Sequence, residues 1–144
     1  MSATMSLTNR EVLTRHKIQT HGIEHLDAVV PVLTDPQAQG DVLVLTSKTK
    51  ATKGEPIPAN GVMVVRGETE SGNSHILHSL EGECYWTPAK DAETDLVQGY
   101  LHVPEGSAAT LIHTQEHNVI GIGPGNYEIK RQREFRNEWA RVRD

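Results

Sequence analysis

The chain predicts an all-β domain, mainly antiparallel, built as a small barrel or sandwich with an N-terminal arm and a short C-terminal helix. Three observations carry this. Predicted strands of four to nine residues recur from Val42 onward, turn signals separate them regularly, and VLVL and VMVV are short continuous apolar runs of the kind strands make. A chain of 144 residues is one domain's worth and can bury a core without disulfides. Composition agrees, with 36% hydrophobic and 23% charged residues, as in soluble globular proteins.

Residues 1–39 read as an arm. Ser6 or Thr8 is placed to cap a short helix over Asn9 to His16, with Leu7, Val12 and Leu13 loosely on one side. Gly22, Pro31 and Pro36 then break any longer element. With so little core of its own, such an arm is expected to need an outside support, for which a neighbouring subunit is the simplest. The β-domain occupies residues 40–144. VLVL (Val42 to Leu45) and VMVV (Val62 to Val65) are continuous apolar runs, the pattern of strands covered on both faces. Asn60-Gly61 marks a turn before the second of them. Further strands are predicted over His75 to Leu80, Cys84 to Trp86, Leu96 to Val103 and Ala108 to His113. Gly123-Pro124-Gly125-Asn126 is expected to close a hairpin into a last strand from Tyr127 to Phe135, and Phe135 to Asp144 to form the terminal helix.

Charge excludes some functions. The net charge of -5 opposes wrapping a nucleic-acid backbone, although the segment from Lys130 onward is +3 and the remainder -8. Without interleaved aromatics, that basic end is read as lying on the acidic body or on another copy of it. No apolar run approaches the ~20 residues of a membrane span and no signal-peptide stretch opens the chain, so synthesis in the cytoplasm is expected. Cys84, the single cysteine, cannot form an internal disulfide and is expected to face the core.

Candidate chemistry centres on histidine. His113, Glu116 and His117 match H-x-x-E-H, but that zinc-peptidase pattern requires a helix and a further ligand downstream, and Val119, Ile120 and the glycines argue for strand and turn. On a strand, His113 and His117 share a face, so a metal site would need a third ligand from another strand, for which His75, His78 and His102 are available. His75, His113, Glu116 and His117 are the candidate metal ligands, holding one divalent ion. The sequence around His75, His78, Glu81 and Glu83, followed by His113, loosely resembles the two cupin motifs, with their H-x-H absent. Alternation also puts Arg131 and Arg133 on the face shared by Tyr127 and Ile129. A covered guanidinium needs a carboxylate, for which Glu68, Glu70 and Glu116 are available; Arg133 is read as structurally paired, with Glu68 named as its partner, in preference to a substrate-binding arginine. No G-x-S-x-G elbow or phosphate-cradling glycine loop is present in the sequence.

Gln39-Gly40-Asp41-Val42, Gly67-Glu68-Thr69-Glu70-Ser71-Gly72 with His75, Glu116-His117, Pro124-Gly125-Asn126-Tyr127 and Gln132-Arg133-Glu134-Phe135 together resemble an uncharacterised small β-rich family of bacterial and bacteriophage genomes. Its pattern runs Q-G-D-V, G-E-x-T-G-H-x-H, H-x-E-H, P-x-G-x-Y and Q-R-E-Y, and would cover about residues 38–136. Asn73 and Thr114 replace motif histidines here, and Phe135 the tyrosine. The resemblance implies a β fold and a phage or mobile-element context, and no established activity. With the charge split and the arm, it leads to the expectation of a non-enzymatic assembly protein without a cofactor. Its partners would be other copies of itself or a capsid protein, as in a head-decoration or minor capsid component of a virion. The alternative is a cupin-like metal-binding domain or enzyme using the His/Glu cluster.

Overall fold

A computed structural model of the chain describes residues 7–18, 26–48, 54–65, 74–90, 96–113 and 118–131. Among these residues one helix, α1 (Asn9–Arg15), precedes eleven strands: β1 (Val32–Leu33), β2 (Gln37–Gln39), β3 (Val42–Thr46), β4 (Glu55–Pro56), β5 (Val62–Val65), β6 (His75–Glu81), β7 (Tyr85–Pro88), β8 (Val97–Val103), β9 (Ala108–His113), β10 (Val119–Ile122) and β11 (Gly125–Arg131). They form two sheets, ordered β1-β10-β9-β6-β5 and β2-β3-β11-β8-β7-β4, in which every pair is antiparallel except β1 with β10. The arrangement is a sandwich rather than a closed barrel.

Strand alternation explains the main core. Val42, Val44, Trp86, Leu101, Val103, Tyr127 and Ile129 point inward from the six-stranded sheet, against Val64, Leu77, Ala109, Leu111 and Ile122 of the other. Cys84 lies in this core and donates its S–H to the Ala108 carbonyl, and burial pushes its thiol up to about 11.

The two apolar runs depart from the expectation of cover on both faces. In β3 only Val42 and Val44 are buried while Leu43 and Leu45 are half-exposed, and in β5 Met63 is exposed. Their outward residues simply lack a covering layer. β9, by contrast, is buried along its whole length, because α1 covers its outer side.

The N-terminal segment packs on its own domain. Thr8 caps α1 with a reciprocal box: its hydroxyl accepts from the Glu11 N–H, and the Glu11 carboxylate accepts from the Thr8 N–H. Val12 and Leu13 then bury against Leu80, Ala108, Ile112 and Val30, a second apolar cluster on the outer face of the five-stranded sheet. Residues 26–30 run back beside the start of the helix, with Asn9 N–H to Ala28 and Val30 N–H to Leu7 carbonyl bonds. β1 and β2 each add an edge strand, one to either sheet.

A second correction concerns Gly123-Pro124-Gly125. It does not close a hairpin, because β10 and β11 belong to different sheets. β10 is flanked by β9 and β1, and both edges of β11 are taken by β3 and β8. The turn carries the chain across the sandwich and is fixed by Tyr127, which is buried and donates its hydroxyl to the Gly123 carbonyl at 2.8 Å. A tyrosine bonding back to the backbone a few residues upstream is a recurrent corner device of β-sandwiches. The expected terminal helix, and the last strand beyond Arg131, lie outside the described residues.

Candidate functional site

One end of the sandwich is polar inside. The β2–β3 turn brings Gln39, Gly40 and Asp41 there, with Gln39 paired to Val42 and Gly40 in the left-handed region at φ +59° that glycine tolerates. From the other sheet, His75 at the start of β6 stands directly opposite His113 at the end of β9. Arg131, at the end of β11, pairs with Val42 in the same tier. Asn118 stands at the start of β10, where its carbonyl accepts from the His113 N–H.

Gln39 ties the two sheets together and sets the protonation of His75. Its amide nitrogen reaches the carbonyls of Leu111 and Asn118 at 2.8 and 2.9 Å, and the Asn118 side-chain oxygen at 3.1 Å. Those are acceptors, so the NH₂ group must lie on their side and Oε1 must face His75. His75 Nδ1 is 2.8 Å from that oxygen, which can only accept, so Nδ1 carries the proton. The lone pair is therefore on Nε2, a buried atom without a hydrogen-bond partner among the described residues.

Two groups face His75. The Asp41 Oδ1 is 3.8 Å from Nε2, and the His113 ring centroid is 4.6 Å from that of His75 with the planes tilted by 55°. His75 is fully buried, and its pKa is lowered to about 4 by burial first and by His113 second, against the opposing pull of Asp41. It is a neutral imidazole near neutral pH.

Of the predicted ligands, the structure brings His75 and His113 together, while Glu116 and His117 lie outside the described residues, as do Glu68 and Arg133 of the proposed ion pair. His78 is on the opposite face of β6, stacked on His16. His102 is on the outside of the other sheet, its Nδ1 2.9 Å from the Asn126 side-chain oxygen. Among the described residues no three His, Cys, Asp or Glu side chains are placed to share an ion. Gln39 and Asp41 were not among the ligand candidates. Their signal was the Q-G-D-V string, whose meaning emerges only when the sheets bring it against His75.

The fold and this tier define an all-β sandwich domain with a histidine-centred polar end. The chain belongs to the family described as a domain of unknown function, DUF8820, whose model matches residues 38–132. That span begins just before Gln39 and includes His75, His113 and Arg131. No curated protein and no solved structure matches the chain. No helix among the described residues is long and apolar enough to cross a membrane.

Proposed function

We propose that the polar end is a binding site for a divalent transition-metal ion, with His75 Nε2 as its first ligand. The observation that carries this reading is the state of His75: buried, neutral, its Nδ1–H held by Gln39 and its Nε2 lone pair without a hydrogen-bond donor. Metal-binding histidines are oriented in this way by an acceptor on the far ring nitrogen. The Asp41 carboxylate stands 3.8 Å from Nε2, the His113 ring lies tilted against the His75 ring, and Glu116 and His117 follow His113 within four positions of the chain. Imidazole with one or two carboxylates suits zinc, iron, manganese or nickel.

The test is elemental analysis of untagged protein, with Co²⁺ titration followed by visible absorption. One ion per chain is expected, lost in His75→Ala and retained in His78→Ala and His102→Ala. Gln39→Ala should weaken binding by about 10- to 100-fold, the usual effect of removing an outer-shell partner. Folded protein that binds none of these ions would overturn the reading.

A second reading, assembly by association with other copies or a capsid protein in a phage virion, is favoured by a different observation. Val29, Leu33 and Met63 are exposed apolar residues, two beside β1 and one on β5, the opposite edges of the five-stranded sheet. Edge strands are natural sites of chain-to-chain pairing. Sedimentation at increasing concentration tests it: Leu33→Lys and Met63→Lys should dissociate an assembly, and a monomer at all concentrations would remove the reading.

A further inference from the structure

The outer face of the five-stranded sheet holds a second pair of histidines, separate from the polar end. His16 follows α1 directly, and its ring stacks on that of His78 with centroids 4.0 Å apart and planes within 26°. Ring lone pairs lie in the ring plane, so two nearly parallel imidazoles cannot both aim at one ion between them. Metal chelation is therefore a poor account of this pair, in contrast to the tilted rings of His75 and His113. What the geometry does provide is an apolar contact between two titratable groups at the point where the helix ends.

Little can accept a proton's charge there. His16 Nε2 and His78 Nδ1 are both buried without a hydrogen-bond partner among the described residues. Gly61 fits so closely that a Cβ on it would lie 2.6 Å from His78 Cε1 and 2.8 Å from Nδ1. An N–H created at Nδ1 would find no acceptor in that contact and no room for water.

The neighbouring charges add to the penalty. Arg15 on α1 donates to the Leu80 carbonyl at 2.8 Å, and Lys17 follows His16. Glu81 at the end of β6 is the acidic group nearby, 3.8 Å from the Arg15 guanidinium and engaged with it. β9 presents Thr110 opposite His78, and the turn before β5 offers the Ala59 backbone, which favours a proton on His78 without offsetting burial.

We infer that the His16–His78 stack is an acid-released latch: neutral rings seal α1 onto the sheet, and their protonation frees the helix from it. Below the range in which imidazoles are neutral, two cations would face each other across the stack beside Arg15. Without that C-terminal anchor Val12 and Leu13 lift from Leu80, Ala108 and Ile112, and the face they cover becomes open to solvent.

Hydrogen exchange on the full chain tests this, comparing the segment 7–18 with β9 in the same sample so that intrinsic pH effects cancel. From about pH 7 to about pH 4.5, protection of 7–18 relative to β9 should fall roughly tenfold or more, the linkage expected of one pKa unit. His16→Phe and the double variant with His78→Phe, which keep a stacked ring without a titrating nitrogen, should abolish most of that fall. Should the double variant not fold, the single variant at the half-exposed His16 decides. Unchanged relative protection in the wild-type chain, or an equal fall in the phenylalanine variants, would overturn the latch.

Discussion

Replacing Gln39 by leucine would keep much of its volume and remove its hydrogen bonds across the sandwich. The His75 Nδ1–H would lose its acceptor and the Leu111 and Asn118 carbonyls one donor each, although the Asn118 carbonyl keeps the His113 N–H. At ~1–3 kcal/mol for a buried polar group left unpaired, a loss of about 1–3 kcal/mol, chiefly from the His75 Nδ1–H, is expected in denaturant unfolding, with an unchanged m-value. A loss below ~1 kcal/mol would mean that water reaches these groups. Cys84 gives a simpler prediction. Its thiol is buried and raised to about 11, so labelling by an aromatic disulfide near neutral pH should proceed only through opening of the fold. Rapid reaction in native conditions would contradict that placement. Its core-facing position was legible from the sequence, since Cys84 precedes an aromatic pair after a turn. Gln39 was not legible as a hydrogen-bonding hub, because its partners lie 36 to 79 positions away.

Elements were easier to read than their partners. Turn formers and apolar runs located β3, β5, β6, β8 and β9 almost residue by residue, and of the two candidate caps of α1, Ser6 and Thr8, the structure uses Thr8. Local chemistry decides such features, so local sequence shows them. Which sheet each strand joins is settled by burial over long separations, and here the Gly-Pro-Gly turn misled. A tight glycine turn between two apolar runs has the same sequence whether it reverses a hairpin or crosses a sandwich, and only the Tyr127 corner separates the two. Gly61 offers a test at this scale. Its φ of +84° is unfavourable for other residues, and a Cβ would press on His78 and Ile76. Gly61→Ala should cost about 1–3 kcal/mol, combining backbone strain with overpacking. Its effect should centre on the β5–β6 edge in hydrogen exchange.

Stability of the whole molecule should depend on acid in a defined direction. His75 and His78 both have pKa values lowered to about 4, so the unfolded chain, whose histidines titrate near 6.5, binds more protons between those limits. The stability they confer is fully present above about pH 6.5 and is lost as pH falls through the folded-state values. Thermal melting should therefore move to lower temperature from pH 7 toward pH 4, less steeply in His78→Phe; a melting temperature that rises over this range would refute the sign. The candidate site was half legible at this scale. Histidine content drew attention to His75 and His113, but only the pairing of β6 with β9 shows that these two, and not His78 or His102, share a face.

The strand order has a further consequence for how the protein is made. In the five-stranded sheet β1 needs β10, and in the six-stranded sheet β3 needs β11, so among the described strands early ones find their neighbours among late ones. Neither layer can close before β10 and β11 have emerged, and the early β3 strand waits with an unpaired edge until then. A nascent chain halted after Ile122 should stay protease-sensitive and prone to capture by chaperones, whereas one that exposes β11 beyond the exit tunnel should acquire its protection.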